Sequence, residues 1–192
     1  SARVAGDTTV SEYETGTSGY FYVVLFQGRE LDDTPTADVR HILVAAEQDE
    51  GADEPTQEQY DAAYTQAEEL LAQWKDGEAT EESFIQLARE NSEDPGVEEN
   101  DGLYEDITST SSYVEDFRNW ALDDHEVGDT GIVRSDDTQG FHIMYYVGQG
   151  DLIAWQETVR DALRSADYTA WEEELVGTIE SAELKDGASY AV

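Results

Sequence analysis

The chain has 192 residues, enough for one ordinary domain with an appendage or for two small ones, and its 39% hydrophobic and 10% aromatic content can fill a core. Ten Lys and Arg against 46 Asp and Glu give a formal charge of −36, which excludes a nucleic-acid partner and attraction to an anionic membrane surface, because both need a cationic footprint. There is no cysteine, so disulfide and thiolate chemistry are excluded, and no run approaches the roughly 18 apolar residues of a membrane helix.

The acidic residues are spread through helices and loops, as on a heavily solvated surface. No basic, apolar leader opens the chain. The abrupt start before Gly6-Asp7-Thr8 suggests a fragment of a longer protein, with any export signal or anchor outside these residues.

Residues 19–28, aromatic and β-branched between Gly19 and Gly28, predict a strand. This strand has an echo. Gly6-Asp7-Thr8, a polar stretch and then Gly19-Tyr20-Phe21 parallel Gly128-Asp129-Thr130, a polar stretch and then Gly140-Phe141-His142. Two readings fit: a partial internal repeat in which Phe21 or Tyr22 stands where the second copy has His142, or two unrelated hairpins with similar turns.

Pro35 within a polar stretch marks a linker, with a boundary near Thr36. Val39 to Ala45 then reads as a strand on which His41 and Leu43 share one face while Ile42 and Val44 take the other. After an acidic loop, Thr56 caps a helix with apolar positions Tyr60, Ala63, Ala67, Leu70, Leu71 and Trp74, and Gly77 ends it. Thr80 starts a second helix burying Phe84, Leu87 and Ala88 and stopping near Asn91. Asp94 to Gly102 has no period and reads as a functional loop; the acidic stretch from Asp94 to Asp106 lacks the spacing of a calcium loop, so no metal is expected.

A short helix opening at Ser112 or Tyr113 turns Val114, Phe117 and Ala121 inward. Gly131 to Arg134 and Phe141 to Val147 form a hairpin whose last strand puts His142, Met144 and Tyr146 on one face. His125, among acidic neighbours, reads as a surface histidine. From Ala154 the pattern is helical, carrying Trp155, Val159 and Ala162, and after a break near Asp167 come Trp171, Leu175 and Ile179; the tryptophans call for a surface to bury against.

Five anchors in this order resemble the parvulin-type peptidyl-prolyl cis/trans isomerases, specifically the foldases of bacterial envelopes. They are Arg40-His41-Ile42-Leu43-Val44; Phe84-Ile85-Gln86-Leu87-Ala88 before Asn91-Ser92-Glu93-Asp94; Tyr113-Val114-Glu115-Asp116-Phe117; Val127-Gly128-Asp129; and Gly140-Phe141-His142-Ile143. The resemblance covers residues 39–148. It implies an α+β fold, a four-stranded antiparallel sheet wrapped by helices with the first and last strands adjacent at its centre. The expected organisation is an N-terminal β segment (1–35), the parvulin-like domain (36–149) and a C-terminal helical extension (150–192).

The resemblance also implies a site. His41 and His142 form the family's histidine pair, Asp94 stands where parvulins carry cysteine or aspartate, and Leu103, Tyr113 and Phe117 line the proline pocket. The implied activity is non-covalent prolyl isomerisation assisting the folding of exported proteins outside the cytoplasm, with no cofactor. Its partners would be proline-containing unfolded or partly folded polypeptides, without membrane insertion of this segment, and with homo-oligomerisation by strand exchange open. The rival reading is a catalytically weak chaperone or binding module of the same fold, since Asn100-Asp101-Gly102-Leu103-Tyr104 departs from the family's Gly-Gly-Asp-Leu-Gly turn and tyrosine stands at 113 where methionine is common. Acidic residues after the first strand argue against phosphorylated substrates.

Overall fold

A computed structural model of the chain describes residues 3–15, 18–49 and 51–177. It divides into two units, one within Ser1–Asp32 and one within Asp33–Val192. The first is a hairpin of β1 (Thr8–Thr15) and β2 (Ser18–Leu25), with Thr8 opposite Leu25 and Tyr13 opposite Tyr20.

The second unit runs β3 (Pro35–Ala45), α1 (Gln57–Asp76), α2 (Glu81–Asn91), α3 (Val97–Asn100), β4 (Leu103–Ile107), α4 (Glu115–Ala121), β5 (Thr130–Ser135), β6 (Gly140–Ile153) and α5 (Ala154–Gly177). Its sheet has the order β4-β3-β6-β5, antiparallel throughout, so the first and last strands meet at the centre. The fold is the expected α+β arrangement.

Alternation along the two central strands divides the core in two. Ile42, Val44, Phe141 and Ile143 face α1 and α2, where Tyr60, Ala67, Trp74, Phe84 and Leu87 cover them. Val39, Met144 and Tyr146 face the other way, toward Ile107 and the α4 residues Phe117 and Ala121. Helices α1 and α2 start as their sequences predict: Thr56 and Thr80 each accept a backbone N–H three residues on, and Gln59 and Ser83 reach back to complete capping boxes. Gly77 closes α1.

Three expectations about these elements are corrected. β3 begins at Pro35 inside the supposed linker, because proline at a strand's first position removes no ladder bond. The Asp94 to Gly102 loop contains the single turn α3, anchored by buried Val97 and too short to show a period. α5 continues unbroken through Asp167, since one aspartate in a helix costs well under about 1 kcal/mol and no Gly or Pro is nearby.

Helix α5 grows directly out of the sheet. β6 extends to Ile153, opposite Pro35, and α5 is tied to the sheet: the Ala154 N–H donates to the Thr34 carbonyl at 2.9 Å and Arg160 to Asp106 at 2.7 Å. The start of α5 is therefore part of the sheet unit. Beyond it Leu163, Tyr168 and Trp171 are exposed, contrary to the expected burial of Trp171, while Ile179 lies outside the described residues. His125 is not a surface group either. Its ring stacks on Trp120 with centroids 4.1 Å apart, and its Nε2–H donates to the Trp120 carbonyl at 2.9 Å.

Candidate active site

On the α4 side of the sheet, β3 presents His41 and β6 presents His142. The register sets Leu43 opposite His142 and Met144 opposite His41, so the two histidines are diagonal neighbours rather than a directly opposed pair. Their Nδ1 atoms lie 2.9 Å apart and both side chains are buried.

Past the end of β4, the segment after α2 runs alongside β3: the Glu93 N–H donates to the Leu43 carbonyl at 2.9 Å, and Ser92 Oγ accepts the Leu43 N–H at 3.0 Å. That pairing brings Asp94 beside His41. Asp94 divides its two oxygens. Oδ1 accepts the Gly96 N–H at 3.3 Å and so makes the turn, while Oδ2 accepts from His41 Nε2 at 3.0 Å and from the Tyr104 hydroxyl at 2.8 Å. Turn chemistry and a place at the site are both served by one carboxylate.

A carboxylate accepts only, so His41 Nε2 carries a proton. Two arrangements complete the chain. With His41 neutral, its Nδ1 accepts from His142 Nδ1–H, and His142 Nε2 accepts from the Thr138 hydroxyl, 3.1 Å away. With His41 protonated, its Nδ1–H donates to His142, which then donates from Nε2 to Thr138. The charge on one ring selects the tautomer of the other.

Burial, followed by the neighbouring His41, pushes His142 down to about 4, so it is neutral at ordinary pH. The hydrogen bond from His41, helped by the one from Tyr104 and opposed by burial, draws Asp94 down to about 2. Tyr104 is pushed up to about 12 by burial and by the Asp94 carboxylate it serves.

Rings wall this line of groups. Phe117 meets both histidines edge-on, with centroids 5.2 Å from His41 and 5.4 Å from His142, and Tyr104, Tyr113 and Phe117 contact one another at 5.3–5.7 Å. The result is an open cleft of about 280 Å³ lined by His41, Leu43, Asp94, Pro95, Tyr104, Tyr113, Phe117, Thr138 and His142, among others.

Of the residues expected from the sequence, His41, Asp94, His142, Tyr113 and Phe117 come together here. Leu103 does not. It sits opposite Arg40, on the other face of β4, and Tyr104 takes the cleft side opposite Val39. The motif match placed Leu103 in the pocket, but a one-residue change of register turns every side chain of a strand over. Gly102 sets that register. Its φ of 70° and its carbonyl, which accepts the His41 N–H at 2.9 Å, bring β4 so close that a Cβ would lie 2.5 Å from the His41 carbonyl oxygen. Thr138 lies on the tip of the β5–β6 hairpin; no local sequence pattern distinguishes it, and only the fold of the tip aims it at His142.

Among the described residues, no group of three or more His, Asp or Glu is placed to hold a metal. Nor is any helix there long and apolar enough to cross a membrane.

A family model described as the PPIC-type peptidyl-prolyl isomerase domain of the rotamases matches residues 41–148, more than half the chain. The chain belongs to the parvulin-type peptidyl-prolyl isomerases. The match begins on His41 and spans every cleft residue named above. Among solved structures, the chain is similar to the peptidylprolyl isomerase PrsA of Bacillus cereus, with 22% identity, a TM-score of 0.46, and coverage of 81% of this chain and 54% of that one. It is also similar to PrsA of Bacillus anthracis, with 20% identity, a TM-score of 0.44, and coverage of 79% and 64%. The chain thus spans only part of the length of these proteins. No curated protein matches it.

Proposed function

We propose that this parvulin-type isomerase acts on prolyl bonds of unfolded or partly folded exported polypeptides, by favouring the twisted amide without a covalent step. The observation that carries the reading is the ring-walled cleft with the Asp94–His41–His142 chain along its floor.

Rotation about a peptide C–N bond is opposed by about 18–20 kcal/mol, which comes from its double-bond character. Twisting ends that conjugation, so a site gains rate only from contacts that are better to the twisted than to the planar amide, each 1.36 kcal/mol being about tenfold. In the proposed division of roles, Tyr113 and Phe117 grip the pyrrolidine ring, which anchors one side of the bond. Asp94 shapes the field around the carbonyl, and the histidine pair holds Asp94 and the floor in place. Tyr104 fixes the second hydrogen bond of Asp94, so that the carboxylate is oriented before substrate arrives.

Work outside the cytoplasm, which the resemblance to envelope foldases implies, belongs to the same proposal, and fractionation of cells making the native polypeptide tests it. The weaker reading, a binding module with little catalysis, draws on Tyr104, whose hydroxyl already occupies Asp94 Oδ2. One coupled assay separates the two: the cis/trans rate on an Ala-Pro peptide against suppression of aggregation of a proline-free client. Acceleration of the first, lost in Asp94→Ala, supports the isomerase; activity in the second alone refutes it.

A further inference from the structure

The hairpin of the first unit repeats the β5–β6 hairpin bond for bond. The Gly6 N–H donates to the Phe26 carbonyl at 2.9 Å and the Phe26 N–H to the Asp7 carbonyl at 2.8 Å; Gly128 donates to Tyr146 at 2.9 Å and Tyr146 to Asp129 at 2.9 Å. Asp7 Oδ2 accepts the Val4 N–H at 2.9 Å, as Asp129 Oδ2 accepts that of Glu126 at 2.9 Å. Gly6 and Gly128 share the left-handed conformation, with φ of 96° and 93°. Three hydrogen bonds and a left-handed glycine in common are more than turn chemistry between unrelated hairpins requires.

These bonds align Phe26 with Tyr146, so Phe21 falls on Phe141 and Tyr22 on His142. The environments differ sharply. Tyr20 to Leu25 are 46–74% exposed, whereas the counterparts of Phe21 to Leu25 in β6 are 0–7% exposed. What buries β6 is β3 along one edge and helices on the faces. By strand alternation, the backbone groups of Phe21, Val23 and Leu25 point to the edge of β2 away from β1, where Phe141, Ile143 and Tyr145 point to β3. Among the described residues, that edge of β2 carries no strand.

We propose that β1–β2 is the closing hairpin of a second isomerase-type sheet, and that its open edge is taken by a β3-like strand lying ahead of it in the same polypeptide. Chain order argues for this occupant. In the second unit the strand on the edge of β6 and the helices α1, α2 and α4 on its faces all precede β5, so their equivalents for β2 precede β1. The covering segment is then about as long as residues 35–121. With Tyr22 where His142 stands, that sheet would lack the histidine pair and could bind a polypeptide without isomerising it.

Hydrogen exchange on the 192-residue chain and on the longest native polypeptide containing it tests this. In the former, the amides of Phe21, Val23 and Leu25 should exchange freely; in the latter they should slow on the order of a hundredfold or more, as edge pairing requires. Val23→Asp should undo that protection while leaving the isomerisation rate unchanged. Four results would overturn the proposal: free exchange in the native polypeptide, a native polypeptide with no such segment ahead of Gly6, concentration-dependent protection in the 192-residue chain, which assigns the edge to a second copy, or protection only on adding an unfolded client.

Discussion

His41 and His142 meet Nδ1 to Nδ1 at 2.9 Å across the two central strands, and only one of those two nitrogens can carry the proton between them. The pair lies inside a chain ending in Asp94 on one side and Thr138 on the other, so its tautomers are set by its ends.

Acid destabilises the fold through His142. In the folded state its pKa is about 4, against an ordinary value of 6.5, so between those values the unfolded chain binds a proton that the folded one excludes. Stability is full above about pH 6.5 and falls progressively toward pH 4, by roughly 3 kcal/mol for a shift of this size. Denaturant midpoints measured across that range should fall with acid, and His142→Phe should flatten the slope.

Asp94 acts in a lower window and with the usual carboxylate sign. Its folded pKa of about 2 means that its contribution is present above an ordinary carboxylate pKa and is lost as pH falls toward 2. Tyr104→Phe removes one of the two bonds to Oδ2, so carbon-detected NMR should find the Asp94 titration moved up in pH. An unmoved titration would show that the Tyr104 hydroxyl does not orient the carboxylate.

Gly102→Ala should be costly, because this glycine is buried at the start of β4. A Cβ would press on the His41 carbonyl, and the left-handed φ adds its own strain of about 1 kcal/mol or more. We expect a clearly lowered melting temperature and a perturbed His41 ring signal, because the His41 N–H bonds the Gly102 carbonyl.

Phe117 supports both the core and the cleft. Phe117→Ala would remove a nearly buried ring at a typical cost of about 3–5 kcal/mol, so the informative change is Phe117→Leu. It should keep the fold while weakening proline-peptide binding by about 0.5–1.5 kcal/mol, the size of a lost aromatic contact, read as a raised KM.

Helix caps, the buried stripes of α1 and α2, the shared face of His41 and Leu43 and the closing hairpin were all legible, because each rests on a local period or a turn residue. The meeting of His41 with His142 and Asp94 was legible only through the family resemblance, being a matter of strand order. Leu103 was misplaced because the face of β4 depends on how Gly102 turns into it, which no alternation in a five-residue strand reveals. Thr138 and Tyr104 escaped for the same reason: their roles arise from tertiary register and leave no mark in spacing.

The Asp94–His41–His142 cleft is proposed to accelerate prolyl isomerisation. Exchange NMR on an Ala-Pro peptide measures it directly, comparing the native chain with Asp94→Ala and His41→Ala while amide spectra confirm that each variant is folded. We expect cis/trans exchange well above the uncatalysed rate, reduced at least about tenfold in each variant, or roughly 1.4 kcal/mol of lost transition-state stabilisation. Exchange at the uncatalysed rate in the native chain, or at the native rate in both folded variants, would contradict it.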